Sequence, residues 1–133
     1  MTRYAVGQNY GLHMDSGYHE GNGSIVQRVY TGIVFLNAVV RGGELIFPLH
    51  SFESGAYPSI EKLCSESHGL GREPLKVAPR QGLAVFFQNH ASGERAEWGD
   101  RIEAAVHGSC PVLEQGGKWI LQLWMRSGAR GFW

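Results

Sequence analysis

Residues 118–126, KWILQLWMR, constrain the fold of this chain more than any other stretch. In an extended strand, alternate side chains point to opposite faces. Lys118, Ile120, Gln122, Trp124 and Arg126 then share one face, and Trp119, Leu121, Leu123 and Met125 share the other. The second face is wholly apolar and has to be covered. The first sets a lysine among apolar groups, as the lining of a polar site does. VYTGIVFLN, residues 29–37, is apolar on both faces, as expected of a strand buried from both sides. The sheet therefore needs two covering layers. A second sheet can be one. Helices should be the other, yet only SIEKLCSE, residues 59–66, could form even a short helix. Either residues 1–133 are the core of a larger domain whose N-terminal helices are missing, or a partner, a second copy included, covers the sheet.

The remaining punctuation agrees with an all-β domain. Nineteen glycines fall between short apolar segments, and strands are expected near 2–8, 10–15, 27–37, 44–47, 74–79, 82–88, 103–110 and 117–126. Gly42-Gly43, Pro79 to Gly82 and Gly116-Gly117 mark turns between them. No internal repeat or long amphipathic helix is visible, and 133 residues suit one domain with a modest core. Residues 48–73 lack a strand pattern, and connections of that length often form lids or binding loops. Residues 16–24 and 89–101 read as further polar or glycine-rich loops. Twelve basic and twelve acidic residues leave no net charge and no basic stripe, so no nucleic-acid partner is expected. No apolar run is long enough to span a membrane, and residues 2–8 read as a strand rather than a leader.

Within GLHMDSG, residues 11–17, His13 and Asp15 would lie on one face of a strand and could close on one ion. Four other histidines, His19, His50, His68 and His90, fall in expected loops and read as solvated. His107 differs, because AAVHGSCPV, residues 104–112, places it on a late strand. It is either a satisfied core histidine or a third ligand. Two imidazoles and one carboxylate form the ligand set of non-haem Fe(II) oxygenases, which leaves coordination positions open. The two cysteines, Cys64 and Cys110, fit no zinc spacing and are either two thiols or one disulfide.

Five blocks in order, RYAVGQNYGLHMDSG, QRVYTGIVFLN, GGELIFP, LKVAPRQGLAVFF and VHGSCPVLEQGGKWILQLWMR, resemble the catalytic domain of prolyl 4-hydroxylases. The likeness is to the transmembrane, endoplasmic-reticulum branch and to the plant and algal branches. It implies a double-stranded β-helix, or jelly roll, with the family's N-terminal helices missing from this chain. It implies Fe(II) on His13, Asp15 and His107, and 2-oxoglutarate anchored through its distal carboxylate by Lys118 with Tyr4 beside it. Dioxygen would be consumed, 2-oxoglutarate decarboxylated to succinate and a peptidyl proline hydroxylated, with ascorbate as reductant, as in a procollagen-proline 4-dioxygenase. Tyr10, Arg28 and Trp124 match positions that contact the peptide, and an aromatic groove suits an extended polyproline segment. The resemblance also implies a Cys64–Cys110 disulfide and an endoplasmic-reticulum location.

Read without the resemblance, Lys118 is an ordinary turn lysine and Tyr4 a half-buried strand tyrosine. Tyr10 and Trp124 are then core packing, and Arg28 is half of a surface ion pair. The sequence departs from the family at Arg126, where a histidine stands, and at Leu45, where threonine often follows GGE. Three rivals share parts of the pattern. Nucleic-acid demethylases usually anchor 2-oxoglutarate with arginine and carry basic surfaces. Radical halogenases normally lack the carboxylate ligand. A jelly-roll binding module could keep a vestigial metal without turnover.

Overall fold

Apolar alternation divides the chain between two sheets. The computed structural model describes residues 1–15, 18–19, 25–48, 57–65, 73–92 and 98–126. The first sheet runs β1 (Thr2–Tyr4), β12 (Lys118–Arg126), β5 (Arg28–Phe35), β8 (Ala84–Gln88). The second runs β2 (Tyr10–His13), β11 (His107–Ser109), β6 (Leu45–Phe47), β7 (Leu75–Val77). Every pairing in both is antiparallel. Two short hairpins join β3 (Tyr18–His19) to β4 (Ile25–Val26) and β9 (His90–Ser92) to β10 (Trp98–Arg101). The two ends of the chain meet twice, β1 on β12 and β2 on β11, which makes the double-stranded β-helix.

The core lies between the sheets. Ile33 and Phe35 of β5 and Ile120 of β12 pack on Leu45 and Phe47 of β6. Burying each such side chain contributes about 1.5–3 kcal/mol. A second cluster covers the outer face of the second sheet. There α1 (Ile60–Cys64) is capped by Ser59, whose side chain accepts from the Lys62 N–H. Ile60 and Leu63, one turn apart, pack with Ile46, Cys110 and Leu12. A disulfide joins Cys64 to Cys110, tying α1 to the segment that follows β11. The outer face of the first sheet has no such cover among the described residues. Leu121, Leu123 and Met125 are 37%, 44% and 57% exposed, and Phe86 is 59% exposed.

Several expected strands are shorter, for local reasons. Residues 5–8 form a turn in which the Gln8 N–H bonds the Ala5 carbonyl and Gly7 has positive φ. Glu103–Ala105 is a 3-10 turn, its N–H groups captured locally through Ala105 to Ile102 and Val106 to Glu103. The expected loop 89–101 contains the β9–β10 hairpin, and His90 within it is 4% exposed rather than solvated. His19 falls in β3 rather than a loop. His50 and His68 lie outside the described residues, as does most of the connection 48–73. Gly42 and Gly43 both take φ of 75°, a left-handed pair that L side chains rarely adopt. That turn sets the Gly43 carbonyl against the Lys118 ammonium.

Candidate active site

Strand register brings the two histidines together. β2 and β11 pair so that His13 faces His107 directly, with ring centroids 4.3 Å apart. Nδ1 of His13 is 2.9 Å from the Gly11 carbonyl, and Nδ1 of His107 is 2.9 Å from the Ala105 carbonyl. A carbonyl only accepts, so each Nδ1 carries a hydrogen, and in the neutral ring Nε2 is then the nitrogen with the free lone pair. Burial, and then the neighbouring His13, pull the His107 pKa down to about 4. Its imidazole is therefore neutral near pH 7, the form that ligates metals.

Asp15 reaches this pair differently from the expected in-strand alternation. β2 ends at His13, and Asp15 is 5% exposed beneath the first sheet. Thr31 donates its hydroxyl to Asp15 Oδ2 at 2.7 Å, and the Trp124 indole N–H donates to the same oxygen at 3.1 Å. Thr31 and Trp124 are cross-strand partners on β5 and β12, so the register of the first sheet aims both donors at one atom. Asp15 Oδ1 lies 3.6 Å from His13 Nε2, and Oδ2 lies 3.8 Å from His107 Nε2. Ligand atoms of the three residues all fall within 4.8 Å of one another. Two imidazoles and a buried carboxylate converging on one point fit a divalent transition ion such as Fe(II).

The same cavity, of about 390 Å³, carries Lys118. This lysine is 2% exposed. Its Nζ donates to the Gly43 carbonyl at 2.9 Å and to the Ser109 hydroxyl, and stands 4.4 Å over the Tyr4 ring. No described carboxylate lies within ion-pair distance of it. Burial draws its pKa down to about 8, with Glu44 partly opposing. Burial also raises the Tyr4 pKa, helped by Tyr10 and Asp15. A buried ammonium with only neutral acceptors is an incomplete arrangement that a dicarboxylate would complete.

All of the residues the sequence singled out for metal, cosubstrate and peptide line this one cavity: His13, Asp15 and His107, then Lys118 and Tyr4, then Tyr10, Arg28 and Trp124. Tyr10 is half exposed and edge-on to His13 at 4.4 Å. The Arg28 guanidinium stacks over Trp124 at 4.2 Å and lies 3.9 Å from Asp15 Oδ1. Three further polar residues went unread in the sequence: Thr31, Asn89 and Ser109. Asn89 donates to the Thr31 hydroxyl at 2.8 Å. One signal was available for Thr31, an aliphatic hydroxyl in the middle of a strand of largely apolar and aromatic residues. Ser109 carries another, since it alternates with His107 and so shares its face.

The sequence pattern of the 2OG-Fe(II) oxygenase superfamily matches residues 1–126. Prolyl 4-hydroxylase 13 of Arabidopsis thaliana is 38% identical over 127 residues, covering 95% of this chain and 41% of the relative. The transmembrane prolyl 4-hydroxylase of Homo sapiens is 30% identical, covering 94% of this chain and 28% of the relative. Among solved structures, viral collagen prolyl hydroxylase from Paramecium Bursaria Chlorella virus-1, in its 2OG complex, superposes with a TM-score of 0.61 at 26% identity. That match covers 95% of this chain and 56% of the viral one. The chain thus spans about two fifths of the length of the plant relatives it matches.

Proposed function

Since this chain belongs to the 2OG-Fe(II) oxygenase superfamily, we propose that it hydroxylates peptidyl proline with Fe(II), 2-oxoglutarate and dioxygen. One observation carries the reading: the buried Lys118, with no described carboxylate within ion-pair distance, lines the cavity that also holds the converging His13, Asp15 and His107. His13 and His107 would hold the iron through Nε2, and Asp15 through its carboxylate. When bound, iron with 2-oxoglutarate and dioxygen supplies the oxidising power for C–H hydroxylation as 2-oxoglutarate goes to succinate and carbon dioxide.

The chain's own residues do the positioning. Lys118 would take the distal carboxylate of 2-oxoglutarate, exchanging the Gly43 carbonyl and Ser109 hydroxyl for a charged acceptor, with the Tyr4 ring closing over its ammonium. Phe47 and Phe87 pack edge-to-face on one another and against His107, which excludes water from one side of the metal site. Tyr10, Arg28 and Trp124, on the cavity wall, would hold an extended proline-containing peptide, for which stacked aromatic and guanidinium surfaces are suited. The Cys64–Cys110 disulfide supports an oxidising compartment, in keeping with the endoplasmic reticulum. Ascorbate as reductant rests on family resemblance, and residues 1–133 are read as one catalytic domain. The open apolar face of the first sheet is read as the seat of a further segment or a second copy.

The test is anaerobic addition of Fe(II) and then 2-oxoglutarate, followed by aerobic turnover of proline-rich peptides. A visible charge-transfer band, weakened in Lys118→Ala, and peptide-dependent succinate and hydroxyproline that vanish in Asp15→Ala are expected. A folded protein that gives no band would remove the oxygenase reading. A band and succinate without hydroxyproline would keep the chemistry and remove proline as the substrate.

A further inference from the structure

We propose that Thr31 and Asn89 form a positioning relay that fixes the Asp15 carboxylate, through its Oδ2, in the orientation that faces His13 and His107. The inference rests on the metal-site reading above. A carboxylate oxygen has two in-plane lone pairs. At Oδ2 both are engaged, by the Thr31 hydroxyl at 2.7 Å and the Trp124 indole N–H at 3.1 Å. With Oδ2 so held, the carboxylate places Oδ1 3.6 Å from His13 Nε2 and 3.9 Å from the Arg28 guanidinium, and Oδ2 itself 3.8 Å from His107 Nε2.

A threonine hydroxyl can rotate, and on its own Thr31 would not be bound to donate to Asp15. Asn89 removes that freedom. Its Nδ2 donates to Thr31 Oγ1 at 2.8 Å, so the hydroxyl already accepts there and its proton points to the carboxylate. The opposite orientation of the amide would turn the Thr31 proton toward Asn89. It would also leave two N–H hydrogens, rather than one oxygen, unpaired at a position whose Oδ1 has no partner among the described residues.

The main chain that carries this side chain is itself anchored from both sides. The Asn89 N–H bonds the Val29 carbonyl at 2.7 Å, and its own carbonyl accepts from the Ile102 N–H at 2.9 Å. Thr31 is 0% and Asn89 2% exposed. Such burial of polar groups beside Val29, Ile33 and Phe35 is costly unless they are hydrogen-bonded. Their chain of bonds ends on Asp15.

The test measures Co(II) binding by chelator competition, together with the Co(II) visible absorption spectrum, in the metal-stripped protein. The variants are Thr31→Val, Thr31→Ser and Asn89→Ala, each checked for folding by circular dichroism. Losing an outer partner of a metal ligand typically weakens affinity about 10–100-fold, and that is expected of Thr31→Val, with a changed spectrum. Thr31→Ser keeps the hydroxyl and should restore both affinity and spectrum. Asn89→Ala should move both in the same direction by less. Should Thr31→Val fail to fold, Thr31→Ala gives the same comparison. Wild-type affinity and spectrum in the hydroxyl-free variant would overturn the relay while leaving the metal site standing. A loss in Thr31→Ser equal to that in Thr31→Val would mark a packing effect and overturn it too. A folded wild-type protein that binds no Co(II) would overturn the metal site and the relay together.

Discussion

Replacing Lys118 by methionine separates what this residue does for the fold from what it does for the ligand. Its pKa falls from the ordinary 10.5 to about 8 in the ligand-free protein. The difference, 10.5 − 8 = 2.5 units at about 1.36 kcal/mol each, is about 3 kcal/mol acting against the buried charge. Lys118→Met removes that cost and keeps the volume. It also strands the Gly43 carbonyl and the Ser109 hydroxyl, at about 1–3 kcal/mol each. The two effects oppose, so urea unfolding of the ligand-free variant should shift by no more than about 3 kcal/mol.

Binding should respond quite differently. Truncating one member of a buried charge pair costs about 2–5 kcal/mol, and a middle value of about 3 weakens 2-oxoglutarate more than about a hundredfold. The pH dependence has opposite signs in the two assays. The folded lysine has the lower pKa, so between about 8 and 10.5 the unfolded chain holds more protons and ligand-free stability rises with pH. The ligand needs the ammonium, so its affinity falls about tenfold per unit as pH rises above about 8. Urea unfolding of the ligand-free protein reads the first, and calorimetric titration of the metal-loaded protein reads the second. Unchanged affinity in Lys118→Met, or wild-type affinity that stays flat across that range, would refute the assignment of Lys118 to the cosubstrate.

Asp15→Ala should abolish hydroxylation and metal binding. It should also destabilise the metal-free fold by about 1–3 kcal/mol, because the Thr31 and Trp124 donors lose their acceptor; wild-type turnover would dismiss Asp15 as a ligand. Trp124→Phe keeps an aromatic surface but removes one of the two donors to Asp15 Oδ2. It should therefore weaken metal binding, through loss of about 1 kcal/mol, even without peptide; a change confined to peptide KM would place Trp124 in the groove alone. Cys64→Ser with Cys110→Ser opens a link spanning 46 residues, and chain entropy puts the loss near about 4 kcal/mol. A urea midpoint that does not move would show that α1 needs no tether.

Much of the fold was legible because it rests on period-two alternation, a property of a strand and its own residues. Alternation puts Lys118, Ile120, Gln122, Trp124 and Arg126 on one face; the first four line the cavity, and Arg126, past a shift in strand register, is exposed. The opposite face was read as needing cover, and Leu121, Leu123 and Met125 are indeed apolar and exposed in this chain. The short helix and the Gly42-Gly43 turn followed from equally local signals. His90 went the other way. A polar segment argued for solvent, but hairpin pairing buried it.

For the site, the sequence by itself determined which side chains are present and, through family resemblance, which of them to group: His13, Asp15, His107 and Lys118. Tertiary structure alone decided how they meet. His13 and His107 face each other because β2 and β11 pair in one register, not because of any spacing along the chain. Asp15 turns out of its strand and is claimed by Thr31 and Trp124, which lie opposite each other only once β5 and β12 are aligned. Asn89 enters at a third remove, through Thr31. Alternation along a strand follows from backbone geometry within a few residues. Register between distant strands is selected by how whole faces bury their apolar groups, and a hydrogen bond to one carboxylate oxygen exists only after that selection is made.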